Sequence, residues 1–290
     1  MNKLTVQERA KILRLLCEGV SIRSVTRLTG FSKNTVAKLL IDAGKACAGY
    51  HDAEVRGVKA ARVQADEIWS FTYARQKNVG ALKAKPDHTG DTWTWTAIDA
   101  DSKMIVSYLV GGRDAEYAMW FMDDVASRLA NRVQLTSDGH RAYLEAVEGA
   151  FGCDVDYAQV VKMYGATATA PSRYSPDECT GVKKTRREGN PDIAHVSTNY
   201  VERQNLTMRM HMRRFTRLTN AFSKKVENHA HAVALHMMYY NFVRIHNTLG
   251  VTPAMAAGVT DRLWRIADIA MLVEAAEAKP AKRGSYKKQG

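Results

Sequence analysis

The 290 residues hold 42 Lys and Arg against 30 Asp and Glu, a formal net charge of +12, and 46% of them are hydrophobic. This length and apolar content suit one large domain or two smaller ones with a sizeable core, and the charge favours a polyanionic partner, nucleic acid before membrane. Four scattered cysteines, Cys17, Cys47, Cys153 and Cys179, form no Cys-x-x-Cys pair, which argues against a zinc ribbon or a disulfide framework and for reduced, mostly buried thiols in a cytoplasmic protein; no signal peptide opens the chain and no apolar run is long enough to span a bilayer.

Residues 4–45 are predicted to form three helices. Thr5 and Glu8 make a capping box ahead of Ile12, Leu13, Leu15 and Leu16, and Gly19 ends that helix. Ser21 caps a short second helix with Val25 and Leu28 inward, and Gly30 closes it. Ser32 caps a third, with Val36, Leu39 and Leu40 on its inner face and Lys33, Asn34, Thr35 and Lys38 outward. A short helix, a tight turn and a longer helix make a helix-turn-helix, whose second helix enters the major groove. The competing reading is a plain three-helix adaptor with a solvated charged face. The helix-turn-helix domain is assigned to residues 1–46 and a linker, possible helix included, to 47–62.

At Val63 the hydrophobic period changes. Strands are predicted over Val63 to Tyr73, Trp93 to Ile98 and Met104 to Val110, with a hairpin at Asp99 to Ser102. An amphipathic helix follows from Asp114 to Ala130, then a fourth strand from Arg132 to Thr136, a helix from His140 to Gly149 and a fifth strand from Val155 to Met163. Residues 166–196 read as an irregular insertion with a basic cluster, Lys183, Lys184, Arg186 and Arg187, either a DNA contact or a solvated charge run. The stretch from Asn199 to Arg209 reads as a cationic helix with one acid, Glu202. Arg213, Arg214 and Arg217 beyond it are read as general DNA contacts. A long helix begins at Ser223, with His229, His231, His236 and His246 too scattered for a metal cluster, and a further helix lies near Arg262 to Ala276. A tail from Lys279 to Gly290 holds five basic residues and no acid, and is expected to be disordered. A mixed α/β domain is assigned to residues 63–258 and the C-terminal helix and tail to 259–290.

Three acids on three elements carry the chemistry. Asp66 lies inside an apolar strand, which is costly unless it meets a cation or metal. Asp138 sits at the end of the fourth strand, where sites collect in α/β sheets. Glu202 opens the cationic helix, with Asn205 one turn on and Arg209 two turns on. Each acid has a plainer account: an Arg partner for Asp66, a helix cap for Asp138, a capping box with Asn199 for Glu202. Taken together, they match the oxygen donors that Mg²⁺ or Mn²⁺ prefers, two ions per site, for in-line phosphoryl transfer.

Asp66-Glu67-Ile68-Trp69-Ser70-Phe71, Ser137-Asp138-Gly139, Val201-Glu202-Arg203-Gln204-Asn205-Leu206 and the segment from Tyr240 to Gly250 with Thr252-Pro253-Ala254 resemble the DDE transposases of bacterial insertion sequences, the insertion sequence one family most of all. The resemblance covers about residues 5–258. It implies an α/β fold: a ribonuclease H-like mixed-sheet catalytic core preceded by an all-α helix-turn-helix domain. It also implies metal ligation by Asp66, Asp138 and Glu202, with Arg209 positioning the DNA backbone and Asp66 favoured over its neighbour Glu67. The implied activity is metal-dependent strand cleavage and strand transfer at terminal inverted repeats, by a homodimer or larger assembly on double-stranded DNA in the bacterial cytoplasm. Members of that family often carry an N-terminal zinc finger; with no cysteine set for one here, end recognition falls to the helix-turn-helix. A catalytically silent DNA-binding regulator and a ribonuclease H-like nuclease are the alternatives.

Overall fold

The computed structural model describes residues 3–165, 178–216 and 220–277. Its elements run α1 (Val6–Cys17), α2 (Ile22–Thr29), α3 (Lys33–Glu54), β1 (Arg62–Thr72), α4 (Gln76–Val79), β2 (Gly90–Asp99), β3 (Ile105–Gly111), α5 (Ala115–Arg128), β4 (Val133–Asp138), α6 (Ala142–Phe151), β5 (Val155–Gly165), β6 (Glu178–Glu188), α7 (Asn199–His211), α8 (Val226–Met238), α9 (Pro253–Ala256) and α10 (Ile266–Ala276).

Six strands form one sheet in the order β3-β2-β1-β4-β5-β6. The first three are antiparallel neighbours, β1, β4 and β5 are parallel, and β6 returns antiparallel on β5. Three meandering strands followed by two crossover strands make the expected ribonuclease H-like mixed sheet. Helices cover both faces, so both sets of alternating side chains on the central strands are buried. Val63 and Ala65 of β1 join Trp95, Phe121, Tyr143 and Val147 beneath α5 and α6. Ile68 belongs to the opposite core, beneath α8 and the N-terminal helices.

The three N-terminal helices form with the caps expected: Thr5 and Glu8 in a reciprocal box, Ser21 and Ser32 accepting from the first turns, and Gly30 left-handed at φ 77°. Leu28 departs from expectation; it is 61% exposed, because the two-turn helix α2 buries only Val25. Helix α3 continues through residues 47–54 of the assigned linker, the helical option that the sequence left open. Tertiary packing extends it. Ala43 and Cys47 are buried in the common core, and the His51 ring lies against the Ile105 carbonyl. Of the four thiols only Cys17 and Cys47 are buried.

Gly44 sets how closely α3 approaches α8: a Cβ there would lie 2.3 Å from the His231 carbonyl oxygen. The His231 Cα and Cβ lie equally close, at 2.5 and 2.4 Å, and all three atoms are fixed by the backbone of α8, which cannot swing aside. Gly44→Ala is therefore expected to destabilise the protein by about 1–3 kcal/mol, read as a fall of several degrees in melting temperature. An unchanged transition would show that the two helices separate freely.

The insertion expected over residues 166–196 is not irregular throughout, for residues 178–188 form β6. Its polar, charged composition disguises a strand because it is an edge strand, where Lys and Arg are tolerated and discourage further pairing. The α-helix expected from Ser223 begins at Val226. Ser223 instead bridges Thr72 at the end of β1, and α8 is followed by a π-helical turn over Tyr239–Val243. Arg217 and the tail from Lys279 lie outside the described residues. No helix among the described residues is long and apolar enough to cross a membrane.

Candidate active site

The β1–β4 ladder ends at the pair Ala65 and Ser137. The next residue on each strand is an acid, Asp66 and Asp138, so parallel pairing alone makes them neighbours. Glu67 joins them: one carboxylate oxygen from each of Asp66, Glu67 and Asp138 lies within 4.8 Å of the others. Strand alternation turns Asp66 toward α7 and Glu67 toward α6. Tyr143 of α6 donates to Glu67 Oε2 at 3.0 Å, and Arg113, on the loop after β3, donates to Glu67 Oε1 at 2.6 Å. Arg113 also comes within 4.0 Å of Asp138 and stacks over Trp93, 4.6 Å from the ring centre. The Asp138 carboxylate accepts the His140 amide at 3.0 Å in a local turn; it does not cap α6, whose N-cap position is Arg141.

Helix α7 is docked by the same strand. Gln64, buried and two residues before Asp66, accepts the amides of Tyr200 and Val201 at 2.8 and 3.2 Å. These first-turn donors have no partner within the helix, so a sheet side chain serves as their cap. One turn further, Asn205 Nδ2 donates to Asp66 Oδ2 at 2.8 Å. Glu202 lies three residues before Asn205, and its charge helps raise the Asp66 pKa. It stands apart from the three-acid group, held by Lys162 of β5 at 2.5 and 2.6 Å and by the Thr198 hydroxyl at 2.6 Å. Thr198 occupies the N-cap position without a side-chain bond to a helix amide, and the capping box with Asn199 does not form.

The electrostatics leave this corner short of positive charge. Burial, then Glu67 and Asp138, push Asp66 up to about 8. Burial and Asp138 likewise raise Glu67, against the opposing pull of Arg113. A hard divalent cation would relieve both, and the donor set is the carboxylate oxygen set that Mg²⁺ and Mn²⁺ prefer.

Arg209 lies exposed on α7, two turns beyond Glu202. Lys33 and Asn34 are exposed at the start of α3, whereas the Thr35 hydroxyl is shared with the Ser32 cap and Lys38 pairs with Asp42 at 2.5 Å. On β6, Lys183, Lys184, Arg186 and Arg187 are all exposed. Arg213 is exposed as well, but Arg214 turns inward. It donates to Ser223 Oγ at 2.7 Å, and burial pulls its pKa down to about 10, so it braces the segment before α8 instead of facing outward as expected.

Residues 2–40 match the family model of a helix-turn-helix domain, and residues 177–243 match that of IS1 transposase. The IS1 match takes in Glu202, Arg209 and β6; Asp66 and Asp138 lie outside it. No curated protein matches the chain. Similar solved structures include a pre-cleavage Mos1 transpososome, 12% identical over 54% of this chain and 60% of that chain with a TM-score of 0.21. A Mos1 paired-end complex with the left transposon end is 15% identical over 54% and 60%, TM-score 0.22, and a Mos1 strand transfer complex is 15% identical over 53% and 59%, TM-score 0.21. The chain thus spans about 60% of the length of these structures.

Sequence reading missed Gln64, Arg113, Tyr143 and Lys162. Gln64 and Lys162 carry a weak signal in retrospect, since each is a polar residue flanked on both sides by apolar strand residues, Val63 and Ala65 for the first and Val161 and Met163 for the second. Arg113 and Tyr143 act across the fold and leave none. Lys162 occupies the Glu202 carboxylate as a cation would. Lys162→Met is therefore expected to tighten Mn²⁺ binding roughly fivefold, the ~1 kcal/mol ceiling of a partly exposed pair. Isothermal titration reads it; equal affinity in both proteins would mean that Lys162 and the ion do not compete.

Proposed function

We propose that this protein is a DNA transposase that binds the terminal inverted repeats of its element through the helix-turn-helix, cleaves a strand to free a 3′-hydroxyl and joins that end to target DNA. The observation that carries the reading is the placement of Asp66 and Asp138 as the first residues beyond a parallel ladder, beneath the helix that bears Glu202. The matches to the helix-turn-helix and IS1 transposase models support it.

Asp66, Asp138 and Glu202 would hold two Mg²⁺ or Mn²⁺ ions. Such ions, when bound, supply Lewis-acid activation of the attacking oxygen and stabilise charge on the leaving oxygen. Around them the chain's own residues do the positioning. Asn205 fixes Asp66 through its Oδ2, and Gln64 fixes the helix that carries Glu202. Arg113 restrains Glu67 on one side of the acid cluster and Lys162 restrains Glu202 on the other. The cations of β6, Arg209 and Arg213 offset repulsion between a phosphate backbone and four carboxylates. Lys33 and Asn34 at the start of α3 are the side chains offered to base edges. Two ends have to meet, so a homodimer or larger assembly on DNA is part of the reading.

Incubating the protein and Mg²⁺ with DNA from the flanks of its coding sequence tests the proposal. Cleaved ends joined to a second duplex support it. Cutting without joining would identify a nuclease, and site-specific binding without either would identify a regulator.

A further inference from the structure

Helix α7 has two working flanks. At 100° per residue, Glu202, Asn205 and Arg209 share the flank facing the acid cluster, and Tyr200, Arg203 and Thr207 face the other way. That second flank lines a groove of about 400 Å³, closed on its far side by Lys103 from the β2–β3 turn and by Arg244 and His246 after the π-helical turn. No acid lines it. Among the described residues, Lys103, Arg203 and Arg244 form no ion pair with an acid. Lys103, left-handed at φ 61°, rests its ammonium 3.4 Å over the Tyr200 ring, and Arg244 meets the His211 ring at 2.8 Å. The cations crowd one another: burial lowers the His246 pKa, and the charges of Lys103 and Arg244 lower it further.

We infer that this groove is a second phosphodiester-binding site, which holds the DNA backbone after it has crossed α7 from the acid cluster. Three unneutralised cations with hydrogen-bonding neighbours suit a phosphate chain, and the chain's net charge of +12 is of the matching sign. The crest between the flanks bears exposed Leu206 and Met210, a smooth ridge with no acid to repel a strand passing over it. An α-helix is about 10 Å across, so the groove lies roughly three base pairs of travel from the acid cluster at about 3.4 Å each. The site rests on the DNA-transposase reading and adds to it a contact remote from the chemistry.

Titrating a fluorescent duplex of arbitrary sequence with wild type and with the K103Q/R203Q/R244Q variant, across about 50 to 200 mM salt, tests this. Each lost phosphate contact lowers the slope of log K against log salt by about 0.9. The triple variant is expected to be shallower by about 2.7 and Arg203→Gln alone by about 0.9. Arg203 is exposed and makes no ion pair, so its single variant decides the matter if the triple variant fails to fold by its melting curve. Equal slopes in wild type and variants would overturn the groove while leaving the transposase reading intact. Unchanged DNA affinity with altered self-association would overturn it in favour of a protein interface. A wild type that binds no duplex at any salt would instead remove the reading on which the groove rests.

Discussion

Asp66→Asn is expected to abolish the proposed strand cleavage and to stabilise the metal-free protein. Both outcomes follow from one carboxylate. Removing it deletes a ligand charge from the acid cluster, and a loss of several kcal/mol of transition-state stabilisation corresponds to about three orders of magnitude in rate. Asp138→Ala is expected to lose as much. Equal Mg²⁺-dependent cleavage of end-bearing DNA by wild type and Asp138→Ala would sink the assignment. The stability effect has the opposite sign, because Asp66 faces Glu67, Asp138 and Glu202 with no ion pair to a cation among the described residues, held by the Asn205 side-chain amide and the Glu67 backbone amide. Its folded pKa of about 8 stands above the ordinary value of 3.8. The unfolded chain therefore releases this proton first, and the contribution of Asp66 to stability is fully present below the unfolded value and is lost as pH rises toward 8. Thermal melts in chelator should fall by several degrees across that window in wild type and less in Asp66→Asn. Added Mg²⁺ should restore the wild type most strongly at the alkaline end, where no proton has to leave. A flat wild-type profile would mean that Asp66 is ionised without help.

Neutralising β6 should weaken DNA binding more than any other surface change. Lys183, Lys184, Arg186 and Arg187 stand exposed on an edge strand beside β5, the strand that carries Lys162. The register places Lys184 opposite Val160 and Arg186 opposite Ala158, on the sheet face shared with Lys162, and Lys183 on the reverse face. The strand therefore offers charge on both sides of the sheet edge nearest Glu202. Replacing all four by Gln removes about 3.6 from the salt slope, so a fourfold rise in salt costs the variant roughly 100-fold less affinity than it costs wild type. Fluorescence anisotropy at two salt concentrations measures it. If the slopes agree, the run is a solvated edge that protects the sheet from further pairing and holds no DNA. Lys184, which donates to the Ile193 carbonyl at 2.9 Å, and Arg187, which donates to Gln159 at 3.0 Å, would then serve structure alone.

Local chemistry made much of this protein readable from the chain. The capping residues Thr5, Ser21 and Ser32 and the left-handed Gly30 act within four residues of themselves, so the N-terminal helices could be read in place. The strand and helix order of the core followed from hydrophobic period. Asp66, Asp138 and Glu202 stood out because an acid in an apolar strand, an acid at a strand end and a lone acid in a cationic helix each break a local pattern. Three things depended on the tertiary structure. Whether α3 runs on beyond residue 46, which the Ala- and Gly-rich stretch left open between helix and linker, is decided by packing of Ala43, Gly44 and Cys47 on α8 and the common core. The strand β6 exists because β5 offers it an edge, and its charges conceal it from a search for apolar alternation. The company each acid keeps is set by elements far apart in sequence. Strand pairing puts Asp66 beside Asp138, strand alternation brings Arg113 and Tyr143 to Glu67, and β5 brings Lys162 to Glu202. The sequence by itself determined which carboxylates are out of place, since that is a matter of neighbours along the chain. Only the fold decided which of them meet and which is held by a lysine, since that depends on strand register and helix docking across more than a hundred residues.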